Sequence, residues 1–243
     1  MSNQVIWGYE GEIGPDFWDT LCEEFHEAAQ FPQQSPIDLT NVPTVELDYQ
    51  EPLVFSYVSQ IFNQRVTQHA FHLVPQELTG KSFVTFKGQA YYLQDIHVHF
   101  PSEHILEITS SEAEWHFVHK NEQGQLLVLG LLFNSTDQQF YLKNEKMRDY
   151  IETHFLQTDT CEINPGLFLP KKQDYYHYVG SLTTPPTQGP VYWFVMDAVQ
   201  EIHQSFMDLF KSKLPVKNHR PVQPLNDRKV WYYEDKDEEH TNS

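Results

Sequence analysis

The stretch QDIHVHFPSEHILEITSSEAEWHFVHK, residues Gln94 to Lys120, holds five of the thirteen histidines of a 243-residue chain. It reads as two strands joined by a loop. Side chains alternate faces along a strand, so Asp95, His97 and His99 share one face while Ile96, Val98 and Phe100 take the other. The second run places Glu114, His116 and Val118 on one face and Trp115, Phe117 and His119 on the opposite one. If the two strands pair, His116 joins His97 and His99, and His119 is excluded. Three neutral imidazoles with no fourth protein ligand match a catalytic zinc site with an open position; a structural site is closed by a fourth ligand. A lone strand histidine is ordinarily a half-buried side chain satisfied by one hydrogen bond. The pair at i and i+2, joined by a third histidine, lifts this set above that reading. Metal-binding imidazoles also need a partner for the second ring nitrogen. Asp95 and Glu114 each precede a proposed ligand by two residues on the same face.

Outside this stretch the composition suits one large domain. Hydrophobic residues make up 40% of the chain and aromatic residues 14%, ample for a single core. With 16 basic against 34 acidic residues the net charge is -18, which repels nucleic acid and anionic lipid. A small, freely diffusing substrate fits that surface better than a polyanion. No run approaches eighteen uninterrupted apolar residues, so no membrane span is expected. The opening MSNQVIWGYE lacks the basic start and apolar core of a secretion signal. That predicts a cytoplasmic protein, or a periplasmic or secreted one if a leader precedes this sequence. Cys22 and Cys161 cannot build a disulfide framework and stand at no ligand-like spacing from the histidines; two reduced, partly buried thiols are expected. The last residues, EDKDEEHTNS from Glu234, read as a solvated and disordered acidic tail, leaving 1–233 as one domain.

Strands dominate the rest. LVFSYV from Leu53, AFHLV from Ala70, FVTFK from Phe83, AYYLQDIHVHF from Ala90, ILEI from Ile105 and VYWFVMD from Val191 are strand-like. The continuous apolar run LLVLGLLF from Leu126 predicts a central strand buried on both faces. Three helices are expected. The first is an amphipathic one opened by Gly14-Pro15-Asp16, with Phe17, Trp18, Leu21, Cys22 and Phe25 at helical spacing. The second is capped by Asn144, and the third runs from about Val199 to Lys213 with Ile202, Phe206, Leu209 and Phe210 on its apolar stripe.

Further motifs stand at WGYEG from Trp7, QSPID from Gln34, HAF from His69, GSLTTPP from Gly180 and NHRPVQPL from Asn218. With HVH, SEH and EWHFVH they resemble, in order and over nearly the whole chain, the α-class carbonic anhydrases of bacterial type. The resemblance implies a mixed, mainly β fold: a single domain with a central ten-stranded, mostly antiparallel twisted sheet and short peripheral helices. It implies zinc-dependent, reversible hydration of carbon dioxide to bicarbonate and a proton, with zinc on His97, His99 and His116. Zinc lowers the pKa of its bound water to about 7, and the resulting hydroxide attacks carbon dioxide. By resemblance Thr183 accepts a hydrogen bond from that hydroxide and donates its own proton to Glu103, which only accepts when ionised. Taken in isolation, Thr183 would read as a turn residue and Glu103 as a surface acid. His69 matches the position that shuttles protons to buffer, a task suited to a group titrating near neutrality. Val118, Val128, Leu182, Val191 and Trp193 match the apolar wall of the substrate pocket, with Thr184 beside them; alternation independently supports only Val118. Ser35-Pro36 and Pro185-Pro186 match cis prolyl bonds.

The same comparison of motifs exposes departures. Asp95 stands where many relatives have glutamine, and a carboxylate makes the imidazole it holds a stronger donor to zinc. His72 stands where asparagine is common, and reads equally as a second relay, a group narrowing the pocket or a strand residue facing elsewhere. Thr187 occupies the position of a cysteine that secreted relatives pair with one near Cys22, in keeping with reduced thiols. The implied partners are carbon dioxide and bicarbonate, with no nucleic acid and no membrane; a homodimer is compatible with the bacterial type. The alternative is a non-catalytic binding module on the same fold. Such relatives lose at least one ligand histidine, and this chain keeps all three.

Overall fold

A computed structural model of the protein describes residues 5–46, 52–78, 81–137, 158–212, 214 and 217–236. Its strands are β1 Thr44–Glu46, β2 Val54–Ser56, β3 Gln60–Val66, β4 Phe71–Pro75, β5 Phe83–Phe86 and β6 Gln89–His99, followed by β7 Ala113–Lys120, β8 Leu126–Thr136, β9 Thr160–Ile163, β10 Tyr175–Gly180, β11 Val191–His203 and β12 Val230–Tyr233. They form one sheet, and ten of them make a continuous path in the order β1-β12-β10-β11-β8-β7-β6-β4-β3-β9, with β2 and β5 branching off through β6. Pairing is antiparallel except between β1 and β12 and between β8 and β11. The ten-stranded, mainly antiparallel expectation holds along the main path, and the β2–β5 pair extends it to twelve.

Period-2 alternation in the central strands sorts side chains into two cores. Ile96, Val98, Phe100, Trp115, Phe117, Leu127, Leu129 and Leu131 pack into the larger one. Val128, Leu132, Trp193 and Val195 pack into the smaller one on the opposite face. Each such side chain removed from water contributes roughly 1.5–3 kcal/mol. β8 lies between β7 and β11 and is buried from Leu127 to Phe133, as its continuous apolar run predicts.

The helices depart from expectation. The N-terminal amphipathic segment is broken into a 3-10 turn at Pro15–Phe17 and helices at Trp18–Leu21 and Glu23–Ala29, with Cys22 extended between them. The Trp18 indole donates to the carbonyls of Gly8 and Ile13 and ties the segment's start to the residues before it. The expected Val199–Lys213 helix starts later, because Val199 to His203 continue β11 in register with Leu132 to Thr136 of β8. The helix proper is Gln204–Lys211, capped by the His203 side chain and burying Phe206, Met207 and Phe210. ILEI is no strand; Ile105 makes a single bridge to Asp38. The Asn144 helix, and the acidic tail from 237 onward, lie outside the described residues. Ser35-Pro36 and Pro185-Pro186 are cis, as are Phe100-Pro101 and Gly189-Pro190. Cys22 and Cys161 are free thiols. Among the described residues no helix is long and apolar enough to cross a membrane.

Candidate metal centre

The antiparallel register of β6 and β7 sets His97 directly opposite His116, His99 opposite Glu114 and Asp95 opposite Val118. One ring nitrogen from each of His97, His99 and His116 lies within 4.8 Å of the other two. His119 points to the reverse face, where its Nε2 meets the Tyr57 hydroxyl at 2.9 Å. Alternation therefore sorted the histidines of both strands as expected.

Each of the three rings is held at its second nitrogen. His97 Nδ1 is 2.6 Å from Asp95 Oδ2, and His116 Nε2 is 2.9 Å from Glu114 Oε1. His99 Nδ1 donates to the backbone carbonyl of Asn218 at 2.5 Å. These contacts leave Nε2 of His97, Nε2 of His99 and Nδ1 of His116 for the common centre. Burial, and then the proximity of His116 and His97, pushes the His99 pKa well below its ordinary value. Burial likewise takes His116 down to about 4 against the opposing pull of Glu114. Both rings are thus neutral and offer a lone pair, the form a metal requires.

Glu114 is fully saturated. Its Oε2 accepts from the amides of Glu103 and His104, and its Oε1 from His104 Nδ1 at 2.6 Å as well as from His116. Burial raises its pKa, but the neighbouring His104 and His116 and these donors prevail and hold the carboxyl well below its usual range. Asp95 behaves similarly with fewer partners: burial raises it, and hydrogen bonds from His72 and His97 hold it low. Glu103 differs. Burial pushes its pKa well up, opposed by the Thr183 hydroxyl and by the Arg220 amide, which donates to Oε1 at 2.7 Å. Its Oε2 is buried without a hydrogen-bond partner.

Beside the triad opens a cavity of about 660 Å³ whose lining includes Trp7, His69, His72, His97, His99 and Thr184. His69 stacks on Trp7 with centroids 3.5 Å apart, and burial followed by the nearness of His72 lowers its pKa. The expected wall residues lie on the triad's side of the sheet. Val118, Val128 and Trp193 are aligned across β7, β8 and β11, and Val191 joins them in the smaller core with Val118 and Leu182 packed against it. The Trp193 ring sits 4.8 Å from that of His116, its indole donating to the Ser181 carbonyl.

The family model for eukaryotic-type carbonic anhydrase matches residues 13–234. The chain belongs to the carbonic anhydrases, a family of enzymes. It is 30% identical to a carbonic anhydrase of Neisseria gonorrhoeae, over 94% of this chain and 88% of that one. The solved α-carbonic anhydrase of Thermovibrio ammonificans, in complex with the inhibitor sulfanilamide, superposes with a TM-score of 0.82 at 32% identity, covering 94% of this chain and 100% of that one. Dioscorin complexed with ascorbate shares the fold, with a TM-score of 0.80 at 24% identity over 94% of this chain and 98% of that one.

Within the carbonic anhydrase fold several site residues had no signature in the local sequence. Asn218 stood out only as part of the NHRPVQPL motif. Besides its carbonyl on His99, its side chain accepts from the Phe100 amide and donates to the carbonyls of Val98 and His69. His104 sits in a loop, where no alternation argument applies. It is fully buried, and the Tyr178 hydroxyl lies 2.7 Å from its Nε2 and 3.0 Å from Ser35 Oγ. Of the three readings open for His72, the structure shows it facing the cavity and touching Asp95.

Proposed function

We propose that the chain catalyses the zinc-dependent, reversible hydration of carbon dioxide to bicarbonate, with His97, His99 and His116 holding the ion. The observation that carries this reading is His99 Nε2, which is buried without a hydrogen-bond partner inside a triad in which one nitrogen of each ring is engaged and the other is turned to the common centre. An orphaned buried polar atom costs about 1–3 kcal/mol, and a cation at the centre of the triad removes that cost. Three imidazole nitrogens on oriented rings fit zinc with an open position. When bound there, the ion supplies the Lewis acidity that brings the pKa of a water to about 7 for addition to carbon dioxide.

The remaining work falls to the chain. Thr183 accepts one hydrogen bond from the reacting oxygen and gives its own proton toward Glu103, which aims the lone pair at the substrate. Glu103 accepts in its ionised form, which the Thr183 hydroxyl, the Arg220 amide and the Arg220 charge favour against the upward push of burial. Val118, Val128, Leu182, Val191 and Trp193 supply apolar surface for carbon dioxide, with Thr184 at the cavity edge. Asp95 and Glu114 orient two of the ligands. His69, half-buried at the cavity wall, carries the released proton to buffer. The free thiols suit a cytoplasmic setting.

Fold alone does not decide between enzyme and binding module; the intact triad favours the enzyme. Stopped-flow hydration of carbon dioxide, run with zinc analysis on the parent and on His97→Ala, is the test. Fast hydration that disappears together with the metal is expected. A parent that binds zinc stoichiometrically yet is no faster than buffer would move the function to the binding module.

A further inference from the structure

We infer that His72 is a positioning residue for the metal centre, clamping the Asp95 carboxylate against His97. The inference rests on the zinc reading above. β4 and β6 pair so that His72 faces His97 across the strands. His72 Nδ1 lies 3.1 Å from Asp95 Oδ1 and 3.0 Å from Oδ2, while His97 Nδ1 lies 2.6 Å from the same Oδ2. A carboxylate only accepts, so both rings donate from Nδ1 and turn Nε2 away from it.

The three ligands differ in how firmly their partners are held. His99 leans on a backbone carbonyl, and that residue's side chain is itself tied down by three hydrogen bonds. His116 leans on Glu114, which is 0% exposed and has three further donors. Asp95 is 21% exposed in its side chain and, among the described residues, receives hydrogen bonds only from His97 and His72. With His72 gone, its carboxylate has a single donor and is free to rotate toward the cavity water. His72 also draws on the charge that Asp95 directs at His97, an opposing effect. Its contacts are the longer ones and span both oxygens, so they fix orientation more than they compete for Oδ2.

Removing a direct partner of a metal ligand costs about 10–100-fold in affinity. His72 stands one contact farther out, and about 10-fold is expected. The experiment follows zinc release to a chelator from the zinc-loaded parent, His72→Leu, His72→Asn, Asp95→Ala and the His72→Leu/Asp95→Ala double variant. His72→Leu should release zinc about 10-fold faster. His72→Asn should stay near the parent, because its amide nitrogen takes the place of Nδ1. Once Asp95 is alanine, His72→Leu should change the rate less than about 2-fold, the non-additivity expected of residues acting in series. Release at the parent rate by His72→Leu, or equal acceleration in both backgrounds, overturns the inference. Melting of the zinc-free proteins verifies folding, and His72→Ala replaces leucine if that variant does not fold. A parent that fails to retain zinc overturns the underlying reading instead.

Discussion

Gly130→Ala tests how tightly the metal centre is built into the sheet. In a strand interior, alanine is ordinarily favoured over glycine by about 0.5–1 kcal/mol. Gly130 lies on β8 opposite His116, and a Cβ placed on it falls 2.7 Å from Glu114 Oε1 and 3.5 Å from Val195 Cγ2. Ordinary contact begins at 3.4 Å, so the carboxylate oxygen must retreat by about 0.7 Å. That oxygen receives His104 at 2.6 Å and His116 at 2.9 Å, and such a shift carries at least one of them out of hydrogen-bonding range. A hydrogen bond to a charged group is worth about 1.5–3 kcal/mol. The intrinsic gain offsets less than half of that, leaving the variant about 1–2 kcal/mol less stable. His116 also loses its orienting partner, so zinc should leave at least about 10-fold faster. Urea unfolding of the zinc-free proteins and chelator competition on the loaded ones read the two effects. A variant as stable as the parent, with unchanged zinc release, refutes the packing argument.

Two further outcomes follow from the electrostatics. His177 stacks on Phe194 at 4.2 Å, and burial lowers its pKa to about 4 despite its hydrogen bond to the Trp193 carbonyl. The unfolded chain takes up this proton near 6.5 and the folded chain only near 4, so stability is complete above about 6.5 and falls with pH between those values. The loss amounts to about 3 kcal/mol. His177→Phe should lose correspondingly less between pH 7 and pH 4, and identical losses in parent and variant would sink this account. For Asp95→Gln, replacing the carboxylate behind His97 weakens the imidazole's donation to the metal. Its pH–rate profile for carbon dioxide hydration should then have a midpoint below the parent's, and an equal or higher midpoint is the contrary result.

Much of this protein was legible in the order of its residues because the relevant physics is local. Alternation with period 2 put His97 and His99 on one face of β6 and separated His116 from His119 on β7, and the pairing of the two strands brings His116 to the first two. The same rule identified Asp95 and Glu114 as partners, and the apolar run at Leu126 marked the centre of the sheet. Local pattern failed where distant pairing overrode it. Val199 to His203 carry a helical stripe yet lie in β11, because β8 offers them a ladder. The N-terminal helical pattern is likewise interrupted at Cys22, where the backbone is extended.

The tertiary structure alone assigned the partners that come from far along the chain. The carbonyl of Asn218 on His99, 119 residues away, and the amide of Arg220 on Glu103, 117 residues away, are backbone groups. Every residue type carries them, so no choice of amino acid announces them. His72 meets Asp95, and Gly130 makes room for Glu114, only because neighbouring strands adopt one register out of several that alternation allows. Residue spacing therefore determined which side chains of each strand share a face, while strand pairing brought those faces to one centre and topology decided the contacts that aim and hold them.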